Sequence, residues 1–147
     1  MWARAIFRSL TVPLLAAASI TPATADDIPR CALPKGAVSA SPQDDLPPAL
    51  LRALEEHVGK IVPPGAEFDA TDVVRTGQNR RMIFVWNVGR RWIVATEHGG
   101  LGYNDPIFAY DLSQDGRSAT LVQERVALPQ TVCATASSLI GFESAKP

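Results

Sequence analysis

Apolar and polar residues alternate with a helical period in one segment of the chain. In LPPALLRALEEHVGK, four apolar side chains fall on one side of a helix: Leu50, Leu51, Leu54 and Val58. The opposite, solvent-facing side carries Arg52, Glu55 and Glu56. Pro47 and Pro48 fit a first helical turn, and Gly59 is typical of a helix end. The pattern predicts one amphipathic helix over residues 48–58.

The pattern changes after Pro63-Pro64-Gly65. β-Branched and aromatic residues then cluster in runs of about six to nine, separated by turn residues, which predicts four or five strands between residues 67 and 126. The predicted strands are Glu67–Arg75, Arg81–Val88, Arg91–Glu97, Ile107–Leu112 and Ser118–Val126. Because all but one of the connections are too short for a crossover, neighbouring strands are predicted to be antiparallel.

Gly89-Arg90 fits a two-residue hairpin loop with glycine first, and this loop predicts the register of the central hairpin. The predicted pairs are Val88 with Arg91, Trp86 with Ile93, Phe84 with Ala95, Met82 with Glu97, and Arg81 with His98. One face then carries Met82, Phe84, Trp86, Ile93 and Ala95, and the other carries Ile83, Val85, Trp92 and Val94. Since both faces are apolar, we expect the helix to cover one and the terminal arms the other.

The first 25 residues have the build of a secretory signal peptide. Arg4 and Arg8 precede an apolar run over residues 10–20, and Ala23-Thr24-Ala25 has small residues where a signal peptidase requires them. A membrane anchor would need about 20 unbroken apolar residues, whereas Thr11, Pro13 and Ser19 interrupt this shorter run. We therefore predict cleavage after Ala25, a periplasmic or secreted location, and no membrane association after cleavage.

Removing 25 of the 147 residues leaves 122, which is enough for one domain with one core. The chain carries 14 Lys and Arg against 15 Asp and Glu, and two of the arginines belong to the predicted signal peptide. This balance is slightly acidic and predicts no nucleic-acid partner.

Cys31 and Cys133 are the two cysteines of the chain. An exported compartment is oxidising, and an even number without Cys-x-x-Cys spacing favours one structural disulfide over a redox or metal site. The alternative is two unpaired buried thiols.

These observations predict an α+β fold: one amphipathic helix followed by a four- to five-stranded antiparallel meander sheet, with one terminal disulfide. The predicted single domain spans residues 26–147. It comprises an extended arm over 26–47, the helix over 48–58, the sheet over 67–126 and a C-terminal arm over 127–147.

The stretch TEHGGLGYNDP, residues 96–106, combines ionisable and aromatic side chains with three glycines. In the predicted register it lies at the same sheet end as two arginines, so we predict a binding site formed by Arg80, Arg81, Glu97, His98, Tyr103, Asn104 and Asp105. The glycines permit positive φ and close approach of a partner or an anion to the backbone. The alternative is a wide structural turn in which Arg81 neutralises Glu97.

The sequence lacks the residue patterns that several kinds of metal-binding and catalytic site require. His57 and His98 are the two histidines, and neither has a metal-binding spacing, so we predict no metal and no cofactor. The chain also has no Gly-x-Ser-x-Gly nucleophile segment. We therefore expect a binding module that recognises or inhibits another exported protein, or that binds a small polar ligand, through the loop 97–105. The alternative is a small hydrolase or lyase that uses His98 with Glu97 or Asp105.

Overall fold

A computed structural model describes residues 29–42, 44–70, 79–100 and 102–141 of the chain. The predicted signal peptide, residues 1–25, lies outside these ranges. Within them, two helices and five strands occur in the following order: β1 (Val38–Ala40), α1 (Pro48–Val58), β2 (Arg80–Val88), β3 (Arg91–His98), β4 (Asp105–Leu112), β5 (Ala119–Ala127) and α2 (Val132–Ile140).

The five strands form one antiparallel sheet in the spatial order β1-β2-β3-β4-β5. The predicted α+β class and the antiparallel meander are confirmed. The predicted order, with the helix before every strand, is wrong, because the short strand β1 precedes α1 and pairs with the outer side of β2. The segment predicted as a wholly extended arm therefore supplies an edge strand.

Helix α1 occupies the predicted residues 48–58. Pro48 stands in its first turn, where an absent N–H costs no hydrogen bond, and Gly59 follows its last residue with φ of 82°. Leu50 and Leu54 are fully buried and pack on one face of the sheet with Val85, Val94, Phe108 and Tyr110. The helix therefore covers this face as its apolar spacing predicts.

The other face of the sheet is covered by α2, which replaces the predicted C-terminal arm. Val132, Ala136 and Leu139 recur at helical spacing and are buried against Trp86, Ile93, Ile107 and Ala109. Thr, Ser and Cys are weak helix formers, so the sequence TVCATASSLIG carries little helical propensity of its own. Burial of this apolar stripe on the sheet stabilises the helix instead.

A β-bulge in β2 corrects the predicted register of the central hairpin. The pairs nearest the Gly89 turn are as predicted, with Trp86 opposite Ile93 and Phe84 opposite Ala95. The register then shifts between Met82 and Phe84, so that Met82 lies opposite Thr96, Arg81 opposite Glu97 and Arg80 opposite His98. Because the extra residue reverses the alternation, Met82 joins the α1 face and Ile83 joins the α2 face, opposite to the prediction.

The first predicted strand, Glu67–Arg75, does not form where it can be assessed. Residues 67–70 are described and lie outside every strand, while residues 71–75 are outside the described ranges. The N-terminal part of the outer edge of β2, beyond β1, is paired with Val62 instead, whose carbonyl accepts a 2.9 Å hydrogen bond from the Met82 N–H.

Cys31 and Cys133 form a disulfide, with their Cα atoms 5.3 Å apart, which confirms the predicted pairing. The bond joins the segment before β1 to the first turn of α2 and packs against the core of the α2 face. Neither helix in the described ranges has the length and apolarity to cross a bilayer.

Candidate functional site

The bulge in β2 creates the ion pair at the predicted site. Arg81 lies opposite Glu97, and its Nε donates a hydrogen bond to Glu97 Oε1. Its Nη1 also donates to the Ala66 carbonyl oxygen at 3.2 Å, and the guanidinium lies 4.5 Å from the ring centroid of Phe68. Arg81 is thus held inside the fold by three kinds of contact, and its charge is directed to Glu97.

Glu97 is 7% exposed and its second oxygen, Oε2, accepts a hydrogen bond from the Tyr103 hydroxyl. Burial of the phenol raises the pKa of Tyr103 well above its usual value, and the hydrogen bond and charge of Glu97 act in the same direction. The phenol therefore stays protonated and remains a donor. The carboxylate of Glu97 is satisfied on both oxygens by residues of the same sheet end.

Asp105 begins β4 and pairs with Ala127 at the end of β5. It is 2% exposed, and this burial raises the pKa of its carboxyl from 3.8 to about 6, with the charge of Glu97 as the second cause. The Ala95–Ile107 pair and the His98–Asn104 bridge lie on either side of Glu97 and Asp105, so these two residues are cross-strand neighbours. The site thus contains two adjacent buried carboxyl groups.

Among the described residues, His98 is hydrogen-bonded to Asn79 and not to these two carboxyl groups. Its Nε2 accepts a 3.0 Å hydrogen bond from Asn79 Nδ2 as the amide is oriented, which leaves the ring proton on Nδ1. Burial lowers the pKa of His98 below 6.5, and the charge of Arg80 lowers it further. Within the described part of the chain, no carboxylate is hydrogen-bonded to this imidazole, so the base–orienter pair that a histidine-dependent hydrolase requires is not formed.

Gly99 of the loop allows another part of the backbone to pack closely against it. A Cβ at Gly99 would stand 2.5 Å from the Asp69 carbonyl oxygen and from the Ala70 Cα. The Gly99 N–H donates to Asn79 O at 2.9 Å, and the Gly100 N–H donates to Ala70 O at 3.3 Å. These two N–H groups are therefore committed to the fold and are not available to an anion.

Exposed apolar side chains surround the same end of the sheet. Tyr103 is 45% exposed, Val126 64% and Leu128 52%. Val126 and Leu128 precede and follow Ala127, the residue opposite Asp105, and Tyr103 lies two residues before Asp105. Because side chains alternate along a strand, Val126 points to the face opposite that of Ala127 and Asp105. We refer to Tyr103, Val126 and Leu128 as the corner surface.

Two shallow grooves lie elsewhere on the described surface. One has a volume of about 290 Å³ beside the disulfide and is lined in part by Phe84 and Trp86, whose stacked rings have centroids 4.4 Å apart. The other, of about 320 Å³, lies between α1 and β5 beside His57, whose Nε2 lies 3.1 Å from Glu124 Oε2. Neither groove contains the predicted site residues.

The described residues contain no group of three or more His, Cys, Asp or Glu side chains that could hold a metal ion. Comparison with protein-family models, curated proteins and solved structures gives no match. The functional argument therefore depends on the geometry of the chain itself.

The structure brings Arg81, Glu97, Tyr103 and Asp105 together as one cross-strand cluster. Arg80, His98 and Asn104 lie at the same sheet end but form separate contacts, with the Asn104 amide donating to Gly102 O at 2.6 Å. Sequence reasoning did not single out Val126 and Leu128. Both are apolar residues at or just after the end of β5, but the sequence does not show that neither helix covers them.

Proposed function

We propose that this protein is a small exported binding module that contacts another exported protein through the corner surface and the adjoining loop 97–105. The proposal rests on the different environments of the polar and the apolar side chains at this sheet end. The polar groups at its centre are bonded to one another, whereas Tyr103, Val126 and Leu128 present apolar surface to solvent.

Exposed apolar side chains clustered on one part of a domain are a common feature of protein-binding surfaces. Tyrosine contributes disproportionately to such surfaces, because its ring gives a large contact area with few rotatable bonds. Here the Tyr103 hydroxyl is already anchored on Glu97, so the ring is held in place before a partner arrives. This preorganisation favours binding by the loop.

Export is supported by two independent features. The N-terminal sequence has the charged, apolar and small-residue regions of a signal peptide. The disulfide between Cys31 and Cys133 requires an oxidising compartment to persist. We accordingly expect the partner in the periplasm or outside the cell.

Replacing Val126 and Leu128 together with Asp should reduce partner retention about tenfold or more, since charges in the corner surface would have to be desolvated on binding. The immobilised protein is incubated with the exported fraction of the cells that produce it, and the retained proteins are quantified by mass spectrometry. Val38→Asp, which alters an exposed residue of the distant edge strand β1, is the matched control. Equal retention by the wild type and the corner variant would contradict the proposal.

A further inference from the structure

The Asp105 carboxylate is buried without a donor. No described residue donates a hydrogen bond to it, although the residue is 2% exposed. No fully buried side-chain oxygen in the described ranges lacks a partner, so the Asp105 oxygens must retain a small contact with solvent. A carboxylate in this position has lost most of its hydration and gained no hydrogen bond in exchange, which is energetically unfavourable in an isolated domain.

The surrounding charges do not compensate Asp105. Arg81 is already engaged by Glu97, the Ala66 carbonyl oxygen and the Phe68 ring. Helix α2, which covers this face of the sheet, contributes no charged side chain. The other titratable or charged side chains on elements around the site are Glu67, Asp69, Arg80, His98, Tyr103 and Arg125. The cross-strand cluster of Arg81, Glu97 and ionised Asp105 therefore carries one net negative charge.

The surface around Asp105 suits a long cationic side chain. Tyr103 lies on the same face as Asp105, because its hydroxyl is bonded to Glu97, the cross-strand neighbour of Asp105. The exposed Tyr103 ring offers a face for a cation. A calcium ion would need six or more oxygen ligands, and one of the two carboxylates here is already in an ion pair.

We propose that Asp105 receives a Lys or Arg side chain of the partner protein, which inserts beside Tyr103 and supplies the cation that the isolated domain lacks. This inference rests on the proposed function, because it names the chemistry of the partner at the same surface. The Tyr103 ring would contact the flank of the inserted residue, and Asp105 would select its charge.

The test uses four peptide amides that differ at one position: acetyl-Gly-Leu-X-Leu-Gly amide with X as Lys, Arg, Gln or Glu. Binding to the protein is followed by chemical-shift changes of the backbone amides around residues 103–105 and 126–128. At about pH 7.5 we expect the Lys and Arg peptides to bind about tenfold more tightly than the Gln peptide, and the Glu peptide to bind more weakly still. At about pH 5 the Lys and Arg peptides should lose most of this advantage, because protonation removes the charge of Asp105.

Asp105→Asn should bring the affinities of the Lys, Arg and Gln peptides together, while Glu124→Gln, which removes one negative charge on the opposite face of β5, should leave their order unchanged. Folding of both variants is verified from their amide spectra. Equal affinity of the Lys and Gln peptides for the wild type, or failure of every peptide to bind, overturns the role of Asp105. Retention of the partner through Val126 and Leu128 is measured separately. Loss of the preference for Lys and Arg with retention intact would overturn this inference and leave the proposed function standing.

Discussion

Removal of the disulfide should lower the free energy of unfolding by about 3 to 5 kcal/mol, because the bond closes a loop of about 100 residues in the unfolded chain. Cys31 and Cys133 are separated by 102 positions, and the bond ties the segment before β1 to α2. Replacement of both residues with Ala keeps the site apolar. Urea unfolding of the wild type and the double variant measures the difference.

Cys31→Ala alone is the appropriate control, since it also removes the bond but leaves one thiol. Its stability should match that of the double variant to within about 1 kcal/mol, because both lose the same constraint on the unfolded chain. A double variant as stable as the wild type would show that the terminal segments are held by packing alone.

Asp105→Asn should stabilise the protein by about 1 to 3 kcal/mol near neutral pH, because it replaces a buried, unpaired carboxylate with a neutral side chain of the same shape. The folded-state pKa of about 6 lies above the usual 3.8, so the folded protein binds this proton more tightly than the unfolded chain does. The wild type therefore loses stability as the pH rises from about 3.8 to about 6 and keeps the full penalty above that range. Urea unfolding at several pH values measures the effect.

The pH dependence separates this explanation from a general effect of removing negative charge. The advantage of Asp105→Asn should shrink below about pH 4, where the wild-type carboxyl is also neutral. Asp111→Asn, at the other end of β4, should instead destabilise the protein, because Asp111 Oδ2 accepts a 2.9 Å hydrogen bond from Arg91 Nη2. A variant at Asp105 that is less stable than the wild type at neutral pH would mean that the carboxylate has a compensating partner.

The sequence predicted the elements whose pattern is strong and local. The leucine spacing of α1 and the Gly89 turn both led to correct elements, since Gly89 adopts φ of 61° as its hairpin position requires. Helix α2 was missed because its residues have weak helical propensity and its stability comes from packing on the sheet. Strand β1 was missed because three residues carry too little pattern to be recognised.

The sequence predicted which residues form the candidate site but not which of them contact one another. The order of the predicted strands put arginines, carboxylates and Tyr103 at one end of the sheet. The register that pairs them depends on a β-bulge in β2, which the sequence pattern does not reveal. The same limit applies to Asp105. Its sequence neighbours suggest a turn residue before proline, whereas its burial results from the sheet and helix packed around it.

The most direct test of the binding proposal is site-specific photo-crosslinking in the compartment to which the protein is exported. A benzoylphenylalanine residue is placed at Leu128, in the corner surface, or at Gln114, in the exposed turn before β5. The proposal predicts a discrete adduct with another protein from position 128, reduced by Tyr103→Ala, and none from position 114. Adducts of equal yield from both positions, or from position 114 alone, would contradict it.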